Sequence, residues 1–240
     1  VGSGIESHSK HGESIYWHND DHLIVNLFIP STLDWAERQA KFELSTAYPL
    51  GEDVTIKFSK ISKQSEFPVS LRLPYWCENP SLKVSGKAEK LVRDGGYATA
   101  KRRWKTGDTL VLTLPMRPRI EPTAVDPNTI ALLHGPAVLA ADLGEARSKF
   151  DGVAPALVGS DLLASLRREP QFANFTTSGI GRPSEITLRP FYSQWERRTA
   201  VYFKRFSDAA WAKEQAAYAA EQARLKDLQA RSVDVMHLGE

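Results

Sequence analysis

Through the middle of the chain, apolar and polar residues alternate one by one. Val54, Ile56 and Phe58 take turns with Thr55, Lys57 and Ser59, and Val69, Leu71 and Leu73 with Ser70 and Arg72. A period of two turns one face of a strand to a core and the other to water, as in antiparallel sheets. SIYWH, HLIVNLFI, KFELSTA, DVTIKFSK, FPVSLRLP, SLKVSG, YATAKRRW and DTLVLTLP read as strands at the spacing expected of a sandwich. Asn19 and Asp20 join the first two as a hairpin, and Asp94-Gly95-Gly96 and Thr106-Gly107-Asp108 supply later turns. This spacing predicts a mainly β protein built from sandwiches. Arg117 to Asn128, with three prolines and two acidic residues, reads as a connector. TIALLHGPAVLAADL is apolar on both faces, as a buried strand pair with Gly135-Pro136 at the bend is. The alternation lapses between residues 145 and 184, where SDLLASLRRE predicts a short helix capped by Ser160 or Asp161. EITLRPFY and RTAVYFKRF restore the β pattern.

The last element differs. SDAAWAKEQAAYAAEQARLKDLQAR is made of strong helix formers, with Ser207 as its N-cap. Trp211, Tyr218 and Leu225 recur every seven residues, and Leu228 comes three further on. The stripe is expected to dock on the sheet and bury these side chains; a coiled-coil seam is the other reading. The organisation expected is therefore residues 1–14 as a helical remnant, 15–120 as a first sandwich, 121–206 as most of a second, and 207–240 as helix and tail.

Composition narrows the partners. A chain of 240 residues with 42% hydrophobic and 25% charged residues is an ordinary globular chain, long enough for one large domain or two modest ones. Its 31 basic and 29 acidic residues leave a net charge of +2. That is unlike the clustered basic face of a nucleic-acid partner. The run Lys101 to Trp104 reads as a solvated strand face. No apolar run approaches the ~20 residues of a membrane span. Cys77 is the single cysteine, so neither an intrachain disulfide nor a cysteine-based zinc cluster can form. One cysteine leaves the compartment open.

Candidate chemistry concentrates at the N-terminus. His8, His11, His18 and His22 invite a metal, but HSKH lacks the i, i+4 histidine pair with an intervening glutamate that marks one class of zinc proteases. His18 and His22 flank a turn and are expected to face solvent. Glu6 and Glu13 are potential acid/base carboxylates, more simply read as charges near a helix start. Asp20 and Asp21 are explained by a turn. There is no phosphate-binding loop and no G-x-S-x-G elbow, and GSGIES comes after no strand. Trp17, Trp35, Trp76, Trp104, Trp195 and Trp211 offer a sugar-stacking platform, against which stands ordinary core packing.

A resemblance adds to the spacing. VGSGIESHSKHGESIYW, leading on to LIVNLFIPSTLDW, resembles the joint between domains in β-L-arabinofuranosidase-type glycoside hydrolases, families 127 and 146. The family-146-like branch reads Cys-Cys-Val-Gly-Ser/Thr-Gly-Met/Ile-Glu at this joint, and Val1, Gly2, Ser3, Gly4, Ile5 and Glu6 match the part after the cysteine pair. FPVSLRLPYW, GYATAKRRWKTGDTLVLTLPM, IALLHGPAVLAADL and ITLRPFYSQWERRTAVYF extend the likeness over nearly the whole chain, and ARSVDVMHLGE resembles a lead into further sequence.

The resemblance implies a parent with an N-terminal (α/α)6 barrel preceding β-sandwiches, acting on arabinose-containing glycans. It implies retaining chemistry by a cysteine nucleophile held on zinc, with a glutamate as acid/base, all upstream of Val1. Cys77, in PYWCENP, matches no nucleophile position. No catalytic, cofactor or metal residue is therefore expected in this chain, and zinc belongs to the parent. Its partner would be its own upstream barrel. A carbohydrate-binding module and a structural or oligomerisation module are the alternatives.

Overall fold

The computed structural model describes residues 2–19, 21–62, 66–149 and 152–232. Asp20 and the tail from residue 233 fall outside these. The described chain divides into two compact units, Val1–Arg117 and Pro118–Glu240.

The first unit opens with helix α1 (Gly2–Lys10), and eleven strands come after it: β1 Tyr16–His18, β2 Leu23–Val25, β3 Ser31–Trp35, β4 Ala40–Thr46, β5 Asp53–Ile61, β6 Glu66–Arg72, β7 Ser81–Val84, β8 Lys87–Glu89, β9 Val92–Asp94, β10 Tyr97–Arg103 and β11 Thr109–Thr113. They form a five-stranded sheet, β1-β2-β6-β10-β9, and a six-stranded sheet, β3-β4-β5-β11-β7-β8. All neighbours are antiparallel except β2 and β6. The alternation does what it promised: Val54, Ile56 and Phe58 from one sheet, and Phe67, Val69 and Leu71 from the other, are sealed in one core. Trp104 lies at its centre, fully buried, stacked on Phe58 with ring centroids 4.1 Å apart. Its indole N–H donates to the Phe67 carbonyl at 2.9 Å, so the one polar atom of a large buried ring is satisfied.

The second unit contributes β12 Pro118–Pro122, β13 Thr129–His134, β14 Ala137–Glu145, β15 Ala156–Val158, β16 Leu166–Arg168, β17 Phe175–Thr177, β18 Gly181–Arg182, β19 Thr187–Pro190, β20 Arg197–Ala200 and β21 Tyr202–Phe206, then helix α2 (Asp208–Arg231). The path β16-β17-β19-β14-β13-β21-β15-β18 is one connected sheet, with β12 added on β13 and β20 on β14. Leu157 and Ile180 from one end meet Phe175 and Leu188 from the other in a common cluster with Leu132, Leu139 and Phe203. The sheet therefore folds over a core of its own, which gives the chain a second β-sandwich.

Three expectations change. The proline-rich connector contains a strand, β12, paired with β13 from Pro118↔His134 to Pro122↔Ile130. Its prolines sit at the two ends of an edge strand, where a missing N–H costs no ladder bond. SDLLASLRRE makes a turn and then β16 in place of a helix. Asp161 does accept from the Ala164 N–H at 3.1 Å, as a cap would. The chain leaves after that turn because Leu166 to Arg168 pair with β17. Third, α2 does not dock. Ser207 caps it, accepting from the Ala210 N–H at 3.2 Å, but Tyr218, Leu225 and Leu228 are exposed and none of its residues is buried. A docked helix needs an apolar face about 100° wide. The residues three and four beyond Trp211 and Tyr218 are Glu214, Gln215, Glu221 and Gln222, which docking would bury. Among the described residues no helix is long and apolar enough to cross a membrane.

Candidate functional site

The N-terminal histidines go separate ways. His8, on α1, and His11, just beyond it, are exposed, with rings edge-to-face at 5.5 Å. Glu6 is exposed on the same helix, and Glu13 pairs with Lys10 at 3.5 Å in solvent. His18 rests against the Trp35 ring at 5.3 Å. His22 turns inward, contrary to the solvent-facing expectation. Its Nε2 lies 2.8 Å from the hydroxyl of buried Ser70, which in turn bonds the Thr99 hydroxyl at 2.6 Å. The reason is register: His22 directly precedes β2, which lies beside β6, the strand that carries Ser70. Asn19 closes the hairpin turn through its side-chain oxygen, which accepts from the N–H groups of Asp21 and His22.

Zinc, which the resemblance implies for the parent, does not suit the donors described here. Cys77 is buried, its Sγ is 4.0 Å from the Pro115 carbonyl, and burial raises its pKa, so it is a protonated thiol. Among the described residues no three His, Cys, Asp or Glu side chains converge as a metal site. His8 and His11 are two ligands on an exposed segment, fewer than a zinc site needs.

The tryptophans divide between core and surface. Trp35 and Trp104 are buried, and Trp76 is half-buried at the margin of the same core. Two of the four tryptophans of the first unit are therefore interior. Trp17 is exposed. In the second unit Trp195 is 86% exposed, and Trp211 leans on Phe206 at 5.3 Å.

The second unit carries features that the residue pattern did not single out. Between β19 and β20 a tight helical turn, Phe191–Ser193, presents Phe191, Tyr192 and Trp195 outward, with Tyr202 exposed beyond them. Gln194, buried beneath, anchors it, donating to the Ala140 carbonyl at 2.9 Å and the Arg189 carbonyl at 3.3 Å. Arg197 grips both Asp142 oxygens, at 2.7 and 2.9 Å. The sequence signal was PFYSQW, three aromatics in six residues where two strands meet.

At the root of α2 lies an open cleft of about 650 Å³ lined by Asp126, Asn128, Lys204, Arg205, Phe206 and Glu214. Lys204 and Asp126 meet there at 2.6 Å. The Lys204 ammonium, the Asn128 N–H and the Thr129 hydroxyl hold the Asp126 pKa down to about 2. A neighbouring groove of about 410 Å³ runs from Val153 and Pro183 to Phe206, Trp211 and Tyr218.

Each unit is thus a mainly β module with a core of its own. The particular likeness is to the β-L-arabinofuranosidases: residues 22–116, within the first unit, match the family model of the GH127 middle domain. A solved GH127 β-L-arabinofuranosidase from Geobacillus stearothermophilus T6 superposes with a TM-score of 0.64 at 22% identity, over 81% of this chain and 35% of that one. A structure described as a glycoside hydrolase gives 0.63 at 18% identity, over 80% of this chain and 37% of that one. A further GH127 β-arabinofuranosidase gives 0.61 at 19%, with the same coverages. No curated protein matches the chain in sequence. The chain spans only 35% to 37% of the length of these solved relatives.

Proposed function

We propose that this chain is the non-catalytic β-sandwich region of a retaining β-L-arabinofuranosidase, bracing a barrel domain that precedes it and bordering that domain's substrate cleft. The observation that carries this reading is the match of residues 22–116 to a middle domain, which is by name one part of a larger arabinofuranosidase. The exposed aromatics support it. Phe191, Tyr192 and Trp195 stand on a turn anchored by a buried glutamine, an outlay of order that suits a surface covered by another domain.

On this reading the chemistry belongs elsewhere in the parent. Retaining hydrolysis needs a nucleophile and an acid/base flanking the scissile bond. Cys77 is a buried thiol, and Asp126, Asp142, Glu169 and Glu185 serve turns and ion pairs. When bound, zinc would hold the parent's nucleophilic cysteine ionised; the residues of this chain would orient and support.

The test is an assay on a chromogenic β-L-arabinofuranoside, with zinc measured on the same samples. This chain is expected to give no turnover and no stoichiometric zinc, and a longer protein that includes the barrel and its cysteine pair to give both. Turnover by the 240-residue chain would overturn the division of labour. A longer protein inactive on every arabinofuranoside would overturn the substrate.

A further inference from the structure

Helix α2 is 24 residues long, about 36 Å, and past Trp211 its whole circumference is exposed. Its sequence is a seven-residue repeat: WAKEQAA, YAAEQAR, LKDLQAR. With Trp211, Tyr218 and Leu225 at heptad position d, position a is Gln215, Gln222 and Gln229 without exception. The apolar stripe is one residue wide per heptad with an amide beside it, a narrow seam suited to a partner helix.

The flanking charges specify the partner. Glu214, Glu221 and Leu228 occupy position g, and Ala212, Ala219 and Lys226 position e. In a parallel, in-register pair each g residue faces the e residue five positions on in the other helix. Glu221 then faces Lys226 of the second copy, and the symmetry makes this attraction twice, while Glu214 meets Ala219. An antiparallel pair sets g against g and e against e, so that Lys226 faces no glutamate of the other copy and the Glu221 attraction is lost in every register. Gln215, Gln222 and Gln229 meet their own counterparts only in the parallel register, where amide can bond to amide, since each side chain carries both donors and acceptors.

We propose that α2 is a self-association element that pairs in parallel with α2 of a second copy of this chain. The seam runs from Gln215 to Gln229; Trp211 is already occupied by Phe206, and Gln215 and Tyr218 stand over the groove toward Val153 and Pro183, so the second helix enters along that groove. Two free heptads with a polar a position give a weak contact, one that adds to whatever else the parent's domains contribute. The pairing stands independently of the arabinofuranosidase reading, because it rests on the helix alone.

Sedimentation equilibrium of the whole chain tests it, taken up to about 1 mM so that a millimolar Kd is half-saturated. A concentration-dependent monomer–dimer equilibrium is expected. Leu225→Glu should abolish it. Glu221→Lys should weaken it about tenfold, because two attractive pairs become repulsive, and so should Lys226→Glu. Mixing these two single variants should restore association, since each then faces its opposite charge, and so should the double swap in one chain. Circular dichroism of each variant checks that the helix persists. A chain monomeric throughout the range would overturn the proposal, as would a dimer indifferent to Leu225→Glu or single variants that fail to complement one another with helicity intact.

Discussion

Asp126 shows how one side chain can fix a local design. It accepts from the Asn128 N–H at 2.9 Å, from the Thr129 hydroxyl at 2.8 Å and from Lys204 at 2.6 Å, and its pKa falls from 3.8 to about 2. A folded pKa below the unfolded one stabilises above the unfolded value, and that contribution disappears as pH falls through the folded value. The window here runs from about pH 4 to about pH 2. In urea titrations the gap between the chain and Asp126→Asn should be constant above pH 4 and shrink steadily toward pH 2. A gap independent of pH would mean that the carboxylate is not held as described. Gly181 is a second constrained residue. An added Cβ would stand 2.5 Å from the Ser184 carbonyl oxygen, 2.7 Å from the Thr177 hydroxyl and 2.9 Å from Glu185 Cα. The same loop is fastened by the Glu185 carboxylate, whose pKa is lowered by the Thr177 hydroxyl and by the Gly179 and Gly181 N–H groups. Gly181→Ala should cost about 1–3 kcal/mol in chemical denaturation, because the obstacle is backbone. Neither constraint shows in the residues around it: DPN and SGIGRP read as generic turns.

At the scale of elements, strands with one buried face were legible and those without were not. β5 and β6 announce themselves in VTIKF and FPVSL because each side chain's face is set by its neighbours. β8 and β9 are exposed along their whole length, and their residues carry no alternation. β12 hides among prolines because it is half-buried along most of its length, with no alternation of faces. The helix α2 was legible as a helix, through its alanines and Ser207, but its exposure was not. Leu225→Ala should therefore leave unfolding of a dilute sample within about 0.5 kcal/mol of the unsubstituted chain. Leu188→Ala, at a fully buried core position, should cost about 2–5 kcal/mol. A large loss at Leu225 would restore the docked helix.

At the scale of the molecule, sequence determined the β class, the hairpins and the Gly135-Pro136 bend. These obey local rules, in which a period of two and a turn residue decide the outcome within a few positions. Only the tertiary structure decided which strands share a sheet, since pairing joins residues far apart. β2 lies parallel to β6 across some forty residues, which turned His22 from a solvent-facing candidate into the partner of Ser70. It also decided which aromatics are interior. Trp35 and Trp104 went to the core, whereas Trp195, Phe191 and Tyr192 stayed outside. Hydrophobicity alone drives all of them inward, and burial is granted only to those whose strand face meets another sheet.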